Sequence, residues 1–214
     1  MKILLLISLL LFSFGLSAQN QQITEKSRID EIKRNITVSC SNINNIKCNY
    51  LQEKSISLLE DDIKNEGEVI FMAPNNLYWK NYKPDNQSFI LKNDSVKIVN
   101  NNGENIMPIQ EHLIFREISK IINNSISNTS IIDENNFIPS YEENEDYIII
   151  NMRPKKNKMK SVLGNMTIHF YKSSYLIYKI EITDNNYDIT TITLSDISIL
   201  PRPARPTTRG CRAS

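Results

Sequence analysis

GEVIFMAPNNLYWKNYKPDNQSFILKNDSVKIVNNNG, residues 67–103, decides the fold. Within it, strand-like pieces at 67–73, 77–82, 88–92 and 95–100 are separated by Pro74-Asn75-Asn76, Pro84-Asp85-Asn86 and, at the end, Asn102-Gly103. Short apolar runs cut by turn chemistry at this regular spacing predict antiparallel strands joined by tight connections. Val69, Phe71, Leu77 and Trp79 fall on one strand face on either side of the Pro74 corner, and Phe89 and Leu91 continue it. An error of one residue in any register would turn these side chains outward.

The same reading extends in both directions. Upstream, Ile29, Ile32 and Ile36 recur at helical spacing among charged residues of segment 23–38, predicting an amphipathic helix, and a strand follows at 46–57. Downstream, Leu113, Ile114, Phe115, Ile118, Ile121, Ile122 and Ile126 give segment 111–126 a wide apolar helical face. Strands are then predicted at 146–153, 166–172, 176–183 and 188–199; Met166, Ile168 and Phe170 alternate with Thr167, His169 and Tyr171. No internal repeat is visible, which excludes solenoids and propellers. About nine strands and two main helices predict a mainly β, α+β chain, a single curved antiparallel sheet with helices packed on its concave face. Its inward face must either close on the helices or leave a cavity for an apolar ligand.

The two ends read differently from the body. Residues 1–18 carry Lys2, an apolar run and a small residue at Ala18, the three-part form of a secretory signal peptide cleaved after Ala18. The run is short of the roughly 20 residues a spanning helix needs. The expectation is export to the periplasm, without lipidation of the chain itself, because no Cys follows the run. Residues 201–214, PRPARPTTRGCRAS, hold four of the eight Arg and read as an atypical tail, disordered or artefactual, after a single domain at 19–200. Without Lys2 and those four Arg, the body has 20 basic and 24 acidic side chains, a formal charge of −4. That balance excludes a nucleic-acid footprint. Cys40 and Cys48 are compatible with a disulfide in an exported chain or with two buried thiols.

A catalytic constellation does not emerge. His112 and His169 are read as solvent-facing or core-edge side chains, and no nucleophile elbow, zinc-binding helix, phosphate loop or dinucleotide fingerprint is present. The acidic groups Glu60-Asp61-Asp62 and Glu142-Glu143 with Glu145-Asp146 fall in predicted loops and lack calcium-loop spacing, so they read as solvated turns. The basic run from Lys155 to Lys160 is another predicted loop, either a solvated connector or a dock for headgroups or an acidic protein surface. Neither metal nor cofactor is expected, and the chain is read as a non-enzyme.

Order and spacing over residues 23–200 resemble the LolA family, the outer-membrane lipoprotein carriers, in their divergent Bacteroidetes-type forms. Tyr50-Leu51-Gln52-Glu53-Lys54 is similar to the family's first, Gln-containing strand, and Pro74, Trp79 and Pro84 to its corner, its Trp strand and its second Pro. Pro154-Lys155-Lys156, Ile168-His169-Phe170, residues 176–182 and 188–192 resemble the later strands. The chain departs at Ala73, where the family has an Arg proposed to latch the lid; Lys80 is a nearby cation.

The resemblance implies an open half-barrel closed by a helical lid, holding lipoprotein acyl chains or a related lipid in a hydrophobic cavity. It implies a monomeric periplasmic chaperone that receives cargo from an inner-membrane ABC exporter and passes it to an outer-membrane receptor. The alternative is a periplasmic lipid or lipoprotein sensor with the same fold. The lining expected for the cargo is Val69, Phe71, Leu77, Trp79, Phe89, Leu91, Ile168 and Phe170 from strands, with Phe115, Ile118 and Ile122 from the lid.

Overall fold

The computed structural model describes residues 21–41, 43, 45–72, 76–92, 95–108 and 132–200. The order is β1 (Gln21–Ile23), α1 (Lys26–Ser41), β2 (Asn45–Ser55), β3 (Ile63–Met72), β4 (Asn76–Lys83), β5 (Gln87–Lys92), β6 (Ser95–Asn100) and β7 (Gly103–Pro108). Then come β8 (Phe137–Glu143), β9 (Tyr147–Pro154), a one-turn helix α2 (Asn157–Lys160), β10 (Asn165–Tyr171), β11 (Ile177–Thr183) and β12 (Ile189–Leu200).

All strands join one open, curved antiparallel sheet in the order β1-β8-β9-β10-β11-β12-β2-β3-β4-β5-β6-β7. The late strand β12 pairs with β2 and so welds the two halves of the chain together. All nine predicted strands are present within a few residues of their expected ends. β1, β7 and β8 are additional. β1 and β8 were hidden because three residues carry no period, and because Pro139 interrupts a strand whose inward residues are only Phe137 and Tyr141. Glu142 and Glu143 are therefore strand residues, a correction to the loop expected there: Glu142 lies opposite Ile149 and Glu143 opposite Ile148.

α1 forms where Ile29, Ile32, Ile36 and Cys40 repeat every three or four residues. Ile32 and Ile36 are fully buried. They meet Ile148, Ile150, Met152, Met166, Ile168, Phe170, Ile180 and Ile182 in one core cluster. Arg28 clamps the helix to the sheet, Nη2 donating to Glu143 Oε2 at 2.6 Å and Nε to Oε1 at 3.2 Å. The predicted helix at 111–126 and both chain ends lie outside the described residues.

Candidate functional site

A second core cluster occupies the other half of the sheet. Its buried members are Cys48, Tyr50, Val69, Phe71, Leu77, Trp79, Leu91, Val96 and Ile192, with Ile46, Phe89, Ile98, Leu194 and Ile197 packed against them. All of them lie on strands, and none belongs to α1.

Register builds this surface. One row crosses five strands as Ile46, Phe71, Leu77, Leu91 and Val96, each opposite the next. The neighbouring row runs Cys48, Val69, Trp79, Phe89 and Ile98. Because strands lie about 4.8 Å apart, each row is a continuous apolar band roughly 20 Å long. A third row places Tyr50 opposite Gly67, which leaves room for the Tyr50 ring to lie against Trp79 with centroids 4.6 Å apart. A Cβ on Gly67 would stand 1.8 Å from the Lys80 carbonyl oxygen and 2.9 Å from Tyr50 Cε1, so the row requires glycine. The Tyr50 hydroxyl donates to Asn81 Oδ1 at the rim of the cluster.

The surface is uncharged near neutral pH. Burial pushes the Cys48 thiol up to about 11 and the Tyr50 hydroxyl up to about 12. Cys40 and Cys48 carry thiols and no disulfide: Cys40 belongs to the helix-covered cluster and Cys48 to the strand-only one. An apolar, electrically silent face of this kind suits hydrocarbon and offers no activated nucleophile.

Of the side chains expected to line the site, Val69, Phe71, Leu77, Trp79, Phe89 and Leu91 come together here. Ile168 and Phe170 lie instead in the cluster under α1, both fully buried. Phe115, Ile118, Ile122, Ala73 and Pro74 lie outside the described residues. Cys48, Tyr50, Val96 and Ile192 were missed, although the alternation Ile46, Cys48, Tyr50 carried the signal. Lys80 faces the other side of the sheet, its Nζ 5.1 Å from the centre of the Tyr82 ring.

Other parts of the structure compete weakly for function. An open recess of about 340 Å³ at the β6–β7 end is lined mainly by Asn, Gln and Glu side chains. His169 is buried on the outer face of β10, Nε2 2.5 Å from Glu181 Oε2, with Tyr178 edge-on at 5.8 Å. Among the described residues no group of three or more His, Cys, Asp or Glu could hold a metal. No helix of the described residues is long and apolar enough to cross a membrane.

Comparison with known proteins gives a family. The family model described as outer membrane lipoprotein carrier protein LolA matches residues 41–205. No curated protein matches. Solved structures similar to the chain include a LolA superfamily protein from Nitrosomonas europaea at 10% identity and TM-score 0.44, over 81% of this chain and 94% of that one. Lipoprotein LppX from Mycobacterium tuberculosis is similar at 10% identity and TM-score 0.46, over 85% and 100%. The Pseudomonas aeruginosa MucA/MucB complex is similar at 6% identity and TM-score 0.46, over 83% and 59%. With its matched segment running through the strand-only cluster and the weld between β2 and β12, the chain belongs to the LolA family of lipoprotein carriers.

Proposed function

We propose that the chain is a periplasmic carrier that covers the acyl chains of lipoproteins, or a related lipid, on the apolar face of β2–β6 and β12, and moves them from inner to outer membrane. The observation that carries this reading is the strand-only cluster within the segment matched by the lipoprotein-carrier family. Acyl chains leaving a bilayer cost about 0.8 kcal/mol per exposed CH₂, so cargo needs continuous apolar cover. Two uninterrupted rows of aliphatic and aromatic side chains supply such cover. Export through a signal peptide at 1–18, an inner-membrane ABC exporter as donor and an outer-membrane receptor as acceptor complete the proposal, in which the chain binds and releases without catalysis.

The test is purification without detergent from the cells that make the chain, followed by mass spectrometry of what co-purifies. Acylated lipoprotein near one per chain is expected. Free glycolipid or pigment would retain the binding face and change the pathway. An empty chain that also fails to take up a fluorescent acyl probe would remove the carrier reading.

A further inference from the structure

Three hairpin tips share one rim of the sheet. In the strand order β9-β10-β11-β12-β2-β3, the β9–β10 loop, the β11–β12 turn and the β2–β3 loop follow one another, each two strands from the next. Neighbouring tips are therefore roughly 10 Å apart. The first carries Lys156, Lys158 and Lys160, all exposed, with Val162 50% exposed. The third carries Glu60, Asp61 and Asp62, all exposed, beside Leu58 at 91% and Leu59 at 53%. The central turn presents Tyr187 at 83%.

Two features show that this rim is built. The central and acidic tips are tied together, since Asp188 Oδ1 accepts from the Ser57 backbone N–H at 3.0 Å. Tyr187 is held at φ 65°, a left-handed conformation costly for a bulky side chain, by Asp184 Oδ1 accepting from the N–H groups of Asn186 and Asp188. Among the described residues, none of the three lysines and three acids joins an ion pair within the chain.

We propose that this rim docks a second copy of the chain about a two-fold axis, the acidic Leu58-Leu59 hairpin of each copy meeting the lysine loop of the other across paired Tyr187 side chains. An isologous contact requires a patch that complements itself when rotated. A positive tip and a negative tip, each two strands from the central turn that presents Tyr187, do so. Asp184 and Asp188, which lie near the axis, already accept hydrogen bonds at home. A bilayer fits less well, because the most exposed leucines sit beside three carboxylates that anionic headgroups repel. Three loop tips make a small contact, so the dimer is transient and salt-sensitive, in place of the monomer expected above. Nothing in this depends on which cargo the concave face holds.

The deciding experiment is sedimentation equilibrium of the chain and two triple charge reversals, K156E/K158E/K160E and E60K/D61K/D62K, with circular dichroism confirming that each is folded. The wild type should dimerise, with association weakened roughly tenfold or more between low and high salt. Each reversal alone should sediment as a monomer, and an equimolar mixture should dimerise again, because both contacts are restored in the mixed pair. A wild type that stays monomeric at every concentration, a dimer indifferent to either reversal, or a mixture that fails to associate would overturn the proposal. So would wild-type association with anionic phosphatidylglycerol vesicles that replaces self-association.

Discussion

Gly67 and His169 show how much one position carries in a curved sheet. At Gly67 the nearest obstacle to a Cβ is the Lys80 backbone carbonyl, which cannot swing aside as a long side chain could. Gly67→Ala should therefore destabilise by about 3 kcal/mol in urea melts, shared between backbone displacement and loss of the Tyr50–Trp79 contact. A neutral result would mean that β3 and β4 part easily at this point. His169 titrates against its surroundings. Burial lowers its pKa, and the Glu181 carboxylate, itself held below its ordinary value with help from His169 and Lys179, only partly offsets this. The unfolded chain thus binds the His169 proton first, and stability falls as pH drops through about 6.5 toward the lower folded pKa. Urea midpoints measured between pH 7.5 and 5.5 should decline for the wild type and flatten in His169→Gln.

Among elements, α1 is the clearest case of sequence pattern becoming structure. Its Ile32, Ile36 and Cys40 stripe reaches the sheet, and Val38 on the other side is 57% exposed. Ile36→Ala should cost about 3 kcal/mol and Val38→Ala less than about 0.5 kcal/mol; equal effects would contradict the packing of this helix. The Arg28 clamp is a smaller contribution. Its carboxylate partner Glu143 also meets Lys172 at 3.1 Å, and both cations hold Glu143 below its usual pKa. The benefit is present above about pH 4.5 and is lost as pH falls through the lowered folded value. With both Arg28 and Glu143 partly exposed, Arg28→Ala should cost about 1 kcal/mol near neutrality, and less at pH 3, where Glu143 is protonated in the unfolded chain and increasingly in the folded one.

At the scale of the whole molecule, the division of the inner face into two clusters matters most. Ile180 of the helix-covered cluster lies opposite Ile192 of the strand-only cluster, so the two adjoin along β11 and β12, and of the two only the first includes residues of α1. This separates two large side chains that otherwise look equivalent. Trp79→Ala should weaken binding of a fluorescent acyl probe roughly tenfold or more, whereas Phe170→Ala should lower stability and leave the probe's affinity nearly unchanged. Titration of both folded variants with the same probe is the check. Equal losses would place the cargo across the entire face.

The strands of residues 67–103, the α1 stripe and the alternation of β10 were legible in the sequence, because period two and period three-to-four are local properties set by backbone geometry. Six strand residues of the candidate site were legible for the same reason: Val69, Phe71, Leu77, Trp79, Phe89 and Leu91 alternate inward on three consecutive hairpin strands. Ile168 and Phe170 carry the identical local pattern, and only the tertiary structure places them under a helix that begins more than a hundred residues earlier in the chain. Likewise Glu143 looked like a solvated loop acid until its distant partner Arg28 came into reach. Alternation says which side chains share a face; what covers that face is decided by long-range strand order, here by β12 returning to pair with β2.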